Sequence, residues 1–564
     1  MVAIHATVLQ LLSSYFQLLP SSAADWALFA YRASTSAAQQ LPASTGTTSG
    51  SPAPGPFHWQ PCPDYPDDPR YQCGALTVPL DHLDATNNAT LNIAVQKYTT
   101  GDAPSKGTIL VNPGGPGGAG TEIATPMVAM IMGGQYDILG FDPRGIGKSR
   151  PIRCSKNEFT AAMERAAIAG IESPLGHGPI TDAVFDNYAS NYALPIARCE
   201  QYDGDYLPYL STAFVARDMD LIRAALGQDL MHYYGVSYGS FLGITYANMF
   251  PDKVGRFVID AVLDPELYTG SAPELMVGSF RDTDKIFEAF VTACEKVGPA
   301  ACALADASAT RPYLMERLQQ FFAQVSRSPL LLRGGEDIVR FTDTDVRQLV
   351  LPHLYSPTRW SALATDLARL INGTFVVPPT NNSCETMTAP TDVDMAYQVY
   401  IGNDGDLDAN RAANWTRALQ RVQNATRVLF DPEMNNIVAV KYWKTRAVER
   451  YAGPWAKAYA NKVVILNNEL DPVCPLHSAQ HVRALMGANH SVLVTREGYG
   501  HGAAVSQFSS CLHALLTNLY SNGTYPAEDT YCRVDSQPFD EESVPKEFLA
   551  AMSAMATQLY RRVV

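Results

Sequence analysis

The sequence predicts an α/β fold: a mostly parallel sheet flanked by helices, with a second, mainly helical domain inserted into it. Three observations predict this. Short apolar runs of strand length recur at Thr108–Val111, Tyr136–Phe141, Leu230–Tyr234 and Phe257–Leu263, the pattern of strands buried on both faces. Helical spacing lies between and after them, in Val215–Leu226 with Gly227 to stop it, and in Phe241, Leu242, Ile244 and Met249, which run toward Phe250-Pro251. From about Glu266 to Ala460 the pattern is then mainly helical, with loops and prolines, before strand-like runs return at Val463–Leu466 and Ser491–Thr495.

At 564 residues the chain exceeds one minimal domain. Apolar residues make up 46% and charged residues 17%, the balance of a globular body. The net charge of -14 and pI near 5.3 argue against a nucleic-acid partner, because phosphate binding relies on clustered Lys and Arg.

Residues 1–24 read as a signal peptide, apolar through Val8–Leu12 and Phe16–Leu19 and ending in the small residues Ser22-Ala23-Ala24. No Lys or Arg precedes the apolar stretch, so a disordered or membrane-associated N-terminus is the alternative. Residues 25–56 are rich in Ser, Thr, Ala, Pro and Gly and read as a linker. The first part of the core is expected over 57–265, opening with strands at Ala75–Leu80 and Leu91–Val95, the lid over 266–460, and the C-terminal part of the core over 461–564. No apolar run approaches the roughly 18 residues of a membrane span. Ten cysteines and the sequons at Asn88, Asn372, Asn381, Asn414, Asn424, Asn489 and Asn522 together favour an oxidising compartment and secretion.

The chemistry centres on Gly235-Val236-Ser237-Tyr238-Gly239, set between the strand Leu230–Tyr234 and a helix. A serine on such a strand-to-helix turn is exposed for attack, and small neighbours relieve the crowding around it. Upstream, Asn112-Pro113-Gly114-Gly115-Pro116-Gly117-Gly118 follows a strand, and its glycines let backbone N–H groups approach a ligand. Asp142-Pro143-Arg144-Gly145 reads as a tight turn in which Asp142 and Arg144 organise the loop. Asp471 and His501 each follow a late strand, completing the chain order Ser, Asp, His, with Glu469 as the alternative acid.

In these motifs, and in Ala216-Arg217-Asp218 and Leu263-Asp264-Pro265, the sequence resembles the tripeptidyl and prolyl aminopeptidase branch of the α/β-hydrolases. The resemblance runs from about Phe57 to the C-terminus. It implies an α/β-hydrolase core with a lid. It also implies that Ser237 attacks a carbonyl, His501 carries the proton and Asp471 orients the imidazole, with Gly115 and Tyr238 offering N–H groups to the oxyanion. Family-like placement suggests the disulfides Cys62–Cys73, Cys154–Cys199, Cys294–Cys302 and Cys511–Cys532, leaving Cys384 and Cys474. No cofactor is implied, and no His/Cys cluster has zinc spacing. An aminopeptidase needs carboxylates for the substrate ammonium. Asp404 lies in a segment like a lid motif of the family, although Gly402 stands where relatives often have cysteine. The expected function is therefore a secreted serine aminopeptidase. The alternatives are a carboxylesterase or lactonase acting on small esters, and a non-catalytic binding protein on the same fold.

Overall fold

The computed structural model describes residues 56–101, 104–157, 160, 178–306, 313–335, 337–377, 393–426 and 437–540. The expected signal peptide, all but the last residue of the expected linker, Asn381 and Cys384 lie outside them.

The strands in chain order are β1 (Gln60–Pro61), β2 (Tyr71–Pro79), β3 (Thr90–Tyr98), β4 (Thr108–Asn112), β5 (Asp137–Phe141), β6 (Met231–Val236), β7 (Val254–Asp260), β8 (Leu330–Gly334), β9 (Asp337–Phe341), β10 (Val376–Val377), β11 (Val463–Leu470), β12 (Ser491–Tyr499) and β13 (Thr530–Cys532). Ten of them form one sheet in the order β1-β2-β3-β5-β4-β6-β7-β11-β12-β13. The β1–β3 end is antiparallel, and from β5 onward every neighbouring pair is parallel. The central strands are apolar because helices cover both faces: Ile109, Leu110, Tyr233, Val258, Ile259, Val464 and Ile465 are all buried.

Two helices position the site. Thr212–Ala225 is capped by Ser211, whose side chain accepts from the Phe214 N–H, and Tyr238–Met249 follows β6 after a single residue. Val215–Leu226 was the span expected from the pattern; the helix begins three residues earlier because the cap, not the apolar period, sets its start. The strand expected through Leu263 stops at Asp260, where Ala261 turns to φ 50°.

Between β7 and β11 the chain is mostly helical, and it also contains a small sheet, β10-β8-β9, that the helical pattern did not anticipate. This stretch buries its apolar side chains in two places. Tyr268, Met276, Tyr400, Ile401 and Trp443 join the main core, whereas Phe287, Phe290, Leu318, Phe322, Val346, Val350 and Trp360 form a second cluster. Leu470, Tyr499 and Phe539 pack against that second cluster. The disulfides Cys62–Cys73, Cys154–Cys199, Cys294–Cys302 and Cys511–Cys532 are all present. No helix among the described residues is long and apolar enough to cross a membrane.

Candidate active site

Ser237 is the lone residue between β6 and the helix Tyr238–Met249, with φ 61° and ψ -125°. A non-glycine residue in that region is strained and persists only where its surroundings hold it. Here the Ser237 N–H donates to the Asp260 carbonyl at 3.0 Å, and Ser240 Oγ donates to the Ser237 carbonyl at 2.6 Å. The flanking glycines are required by close approach, since a Cβ on Gly235 would lie 2.4 Å from the Gly239 carbonyl oxygen. The side chain of Ser237 is left half-buried.

The glycine-rich loop after β4 reaches this elbow directly. A Cβ on Gly114 would lie 2.8 Å from Ser237 Cβ and 3.0 Å from the Tyr238 nitrogen, so only glycine fits. The Gly114 N–H donates to Asn112 Oδ1 at 2.9 Å, and Gly118 closes a turn onto the Gly114 carbonyl at 3.0 Å. Tyr238 opens its helix, so its N–H has no intrahelical acceptor. The loop and the first turn of the helix therefore present backbone beside Ser237, where an oxyanion would form.

His501 sits between Gly500 and Gly502, both at positive φ, just after β12. Its Nδ1 lies 3.0 Å from each carboxylate oxygen of Asp471, which follows β11. Asp471 is fully buried, and its Oδ1 also accepts the N–H groups of Val473 and Cys474 at 3.0 and 2.8 Å. Glu469 has other partners: it accepts from the Gly498 N–H and the Tyr531 hydroxyl. The histidine loop lies against the elbow, since a Cβ on Gly502 would be 3.3 Å from Val236 Cγ1. Among the described residues the one group with metal-ligand spacing is Asp471, Cys474 and His501, and its carboxylate and imidazole already hydrogen-bond each other.

Three further groups hold the histidine loop, and sequence reasoning assigned none of them to the site. The His501 N–H donates to the Tyr355 carbonyl at 2.8 Å, and the Tyr355 ring meets the imidazole edge-on at 4.8 Å. Asn468 Nδ2 donates to the Gly500 carbonyl at 2.6 Å, and Asn468 Oδ1 accepts from Arg496 Nε at 2.7 Å. Arg496 is wholly buried among neutral acceptors, and burial brings its guanidinium down to about 10. Asp260 takes the N–H groups of Ala503 and Ala504 on its carboxylate. Burial pushes its carboxyl up, against the pull of these donors. A signal for Asp260 does stand in the sequence, as a single carboxylate inside the apolar run Phe257–Leu263.

Asp142 and Arg144 hold their loop. Asp142 accepts from the N–H and hydroxyl of Thr121 and from the Lys148 N–H. Arg144 makes a buried two-bonded pair with Asp218, both at 2.7 Å, with His82 alongside. Asp404 is buried, accepting the Thr212 N–H at 2.9 Å and the Thr212 hydroxyl at 2.6 Å, and that hydroxyl also meets Tyr238 Oη. Burial raises its carboxyl to about 7, against the Thr212 hydrogen bonds. It holds the start of the helix Thr212–Ala225 and reaches the elbow helix only through the Thr212 hydroxyl on Tyr238 Oη. Gly402 lies against the indole of Trp443, where a Cβ would come within 2.5 Å, so a cysteine does not fit there.

Residues 107–294 match the family model described as alpha/beta hydrolase fold, and residues 427–532 match that of TAP-like proteins. The first span holds Gly114 and Ser237, the second Asp471 and His501. A protein named tripeptidyl aminopeptidase, from Streptomyces coelicolor, is 36% identical over 216 residues; this match spans 37% of the present chain and 38% of the relative. One named serine protease Hip1, from Mycobacterium tuberculosis, is 26% identical over 85% of this chain and 91% of its own length. One named carboxylesterase B, from the same species, is 27% identical over 86% and 92%.

Proposed function

We propose that the chain is a serine hydrolase of the tripeptidyl-aminopeptidase-like branch of the α/β-hydrolases, a secreted aminopeptidase releasing short N-terminal units from peptides; the two family matches and the relatives named tripeptidyl aminopeptidase and serine protease Hip1 support this reading. The observation that carries the chemistry is the buried Asp471 carboxylate on Nδ1 of His501, in a loop whose Gly502 packs against Val236, the residue before an elbow serine at positive φ. In this reading the Asp471 hydrogen bond keeps the proton on Nδ1, leaving Nε2 to accept the proton of Ser237 Oγ as that oxygen attacks the scissile carbonyl. The negative oxygen is received by the N–H groups of Gly115 and Tyr238; one such donor is worth about 3 kcal/mol. His501 then gives its proton to the leaving amine. Water, deprotonated by the same imidazole, cleaves the acyl-enzyme.

Support for secretion comes from the disulfides and from the sequons at Asn88, Asn372, Asn414, Asn424, Asn489 and Asn522, whose asparagines are all exposed. A second reading, an esterase or lactonase using the same residues, is favoured by the carboxylesterase relative that aligns over 86% of the chain.

Free-amine and N-acetylated forms of one peptide library, offered beside p-nitrophenyl esters, decide between the two. Selective turnover of free-amine peptides is expected. Equal turnover of blocked and free peptides, or activity on esters alone, rejects the aminopeptidase. The protein should also label with a fluorophosphonate, and Ser237→Ala should not.

A further inference from the structure

We propose that Asp260 is a positioning residue for this reaction: it ties the loop that carries His501 to the elbow that carries Ser237. The inference rests on the serine-hydrolase reading and is indifferent to whether the substrate is a peptide or an ester.

Asp260 ends β7, between β6 and β11, where it pairs with Val236 on one side and Leu466 on the other. Its main chain belongs to the elbow, because its carbonyl accepts the Ser237 N–H at 3.0 Å. Its side chain belongs to the histidine loop. Oδ1 accepts the Ala503 N–H at 2.6 Å, and Oδ2 accepts the Ala504 N–H at 2.9 Å. The Tyr234 hydroxyl, on the strand leading into the elbow, also donates to Oδ2 at 2.9 Å. Asp260 is 0% exposed, so no water substitutes for any of these donors.

One residue thus fixes a backbone atom of the nucleophile and two backbone atoms that follow the base. The imidazole itself is left to Asp471, whose two oxygens both face Nδ1. Asp471 sets the tautomer and rotation of the ring, and Asp260 sets where the loop stands relative to Ser237. The fork demands a carboxylate. Two N–H groups and a hydroxyl converge on it, and an amide in its place would turn an NH2 group toward at least one donor. The backbone that follows Asp260 is held as well: the Val262 N–H donates to Asn467 Oδ1 at 2.8 Å, and the Leu263 N–H to Ser240 Oγ at 3.0 Å.

The test compares the full chain with Asp260→Asn and Ala503→Pro. The second variant deletes one donor and keeps the acid. Ala503 is the second residue of a turn closed by the Val505 N–H on the Gly502 carbonyl, a place where proline is favoured. Folding is checked by thermal melting, and the rate of fluorophosphonate labelling is measured with Ser237→Ala as the blank. Both folded variants are expected to label about a hundredfold more slowly, the effect of displacing a reacting group by roughly 1 Å. On any substrate the wild type turns over, kcat should fall in proportion while KM stays within about threefold, since no substrate contact is removed. Amide exchange at Ala503 and Ala504 should accelerate in Asp260→Asn.

Folded variants that label at the wild-type rate overturn the assignment, as does a loss confined to KM. If the wild type itself fails to label, or Ser237→Ala labels equally, the serine-hydrolase reading fails instead.

Discussion

At the scale of single residues, two buried carboxylates near Ser237 do opposite things, and their partners explain why. Asp471 is the acceptor for an imidazole and two backbone N–H groups. Asp471→Asn should therefore keep the fold but present the wrong hydrogen-bonding face to Nδ1, lowering kcat by about ten-thousandfold. Glu469→Gln, on a residue that does not touch His501, should stay within about twofold of wild type on the same assay. Equal losses in both would reject Asp471 as the acid. The Asp404 carboxyl accepts from Thr212 and feels the Arg450 guanidinium, yet burial outweighs both and holds it at about 7 against an ordinary 3.8. Below pH 3.8 both folded and unfolded chains carry its proton. As pH rises from there to about 7 the unfolded chain releases the proton first, so stability is lost across that window. The rise is about three pH units, or on the order of 4 kcal/mol. Asp404→Asn can keep both bonds to Thr212, with Oδ1 accepting from the N–H and the amide donating to Oγ1, and it does not titrate. Its melting temperature should gain steadily on the wild type from about pH 4 to pH 7 and level off above that; parallel curves across that window would reject the assignment.

At the scale of elements, the insert meets the elbow helix through the turn of helix that carries Gly402. Alanine at 402 would gain about 1 kcal/mol of helix propensity. Against that, its Cβ would enter the buried Trp443 indole, which Asn403 Oδ1 fixes by accepting from Nε1 at 3.0 Å. Overpacking of this kind costs typically 1–3 kcal/mol. The clash should win, and Gly402→Ala is expected to melt several degrees below wild type; an unchanged or higher melting temperature would show that Trp443 yields freely. The core strands β4, β6, β7, β11 and β12 were legible because burial on both faces forces apolar runs, and the elbow was legible because its glycines answer to local crowding. The small sheet was not. Leu331, Ile338 and Val376 are exposed on it, so Leu330–Gly334 and Asp337–Phe341 carry no one-sided apolar signal. Tyr355 and Asn468 were silent as site residues, and Asp260 showed only as a lone carboxylate in an apolar run, with nothing to say what it binds. Each acts on the histidine loop through main-chain groups, at separations such as the 243 positions between Asp260 and Ala503, and that leaves no local pattern.

At the scale of the whole molecule, the division of the insert between two hydrophobic clusters has a consequence for activity. The second cluster, built from Phe287, Phe290, Leu318, Phe322, Val346, Val350 and Trp360, packs on the ten-stranded sheet only at the ends of β11 and β12, through Leu470 and Tyr499, and against Phe539 among the described residues. Clusters joined to the rest of a protein by few apolar contacts open at lower free energy than the central strands. The helix Asp343–Leu354 contributes Val346, Val350 and Leu354 to that cluster and leads straight into Tyr355 and Ser356. Those two residues hold the catalytic loop, Tyr355 through the His501 N–H and Ser356 through the Ser506 carbonyl at 2.6 Å. Opening the cluster therefore removes a support from His501 while the sheet, Ser237 and Asp471 remain folded. In urea, hydrolytic activity and fluorophosphonate labelling should be lost at a lower midpoint than the far-ultraviolet circular dichroism. Amides of the helices between residues 283 and 371 should exchange before those of β4, β6, β7 and β11. The Cys294–Cys302 bridge closes a loop within this unit, so its loss should move the activity midpoint further than the sheet midpoint. Coincident midpoints with uniform exchange would mean that the cluster and the sheet unfold as one, and that Tyr355 holds His501 as firmly as the core does.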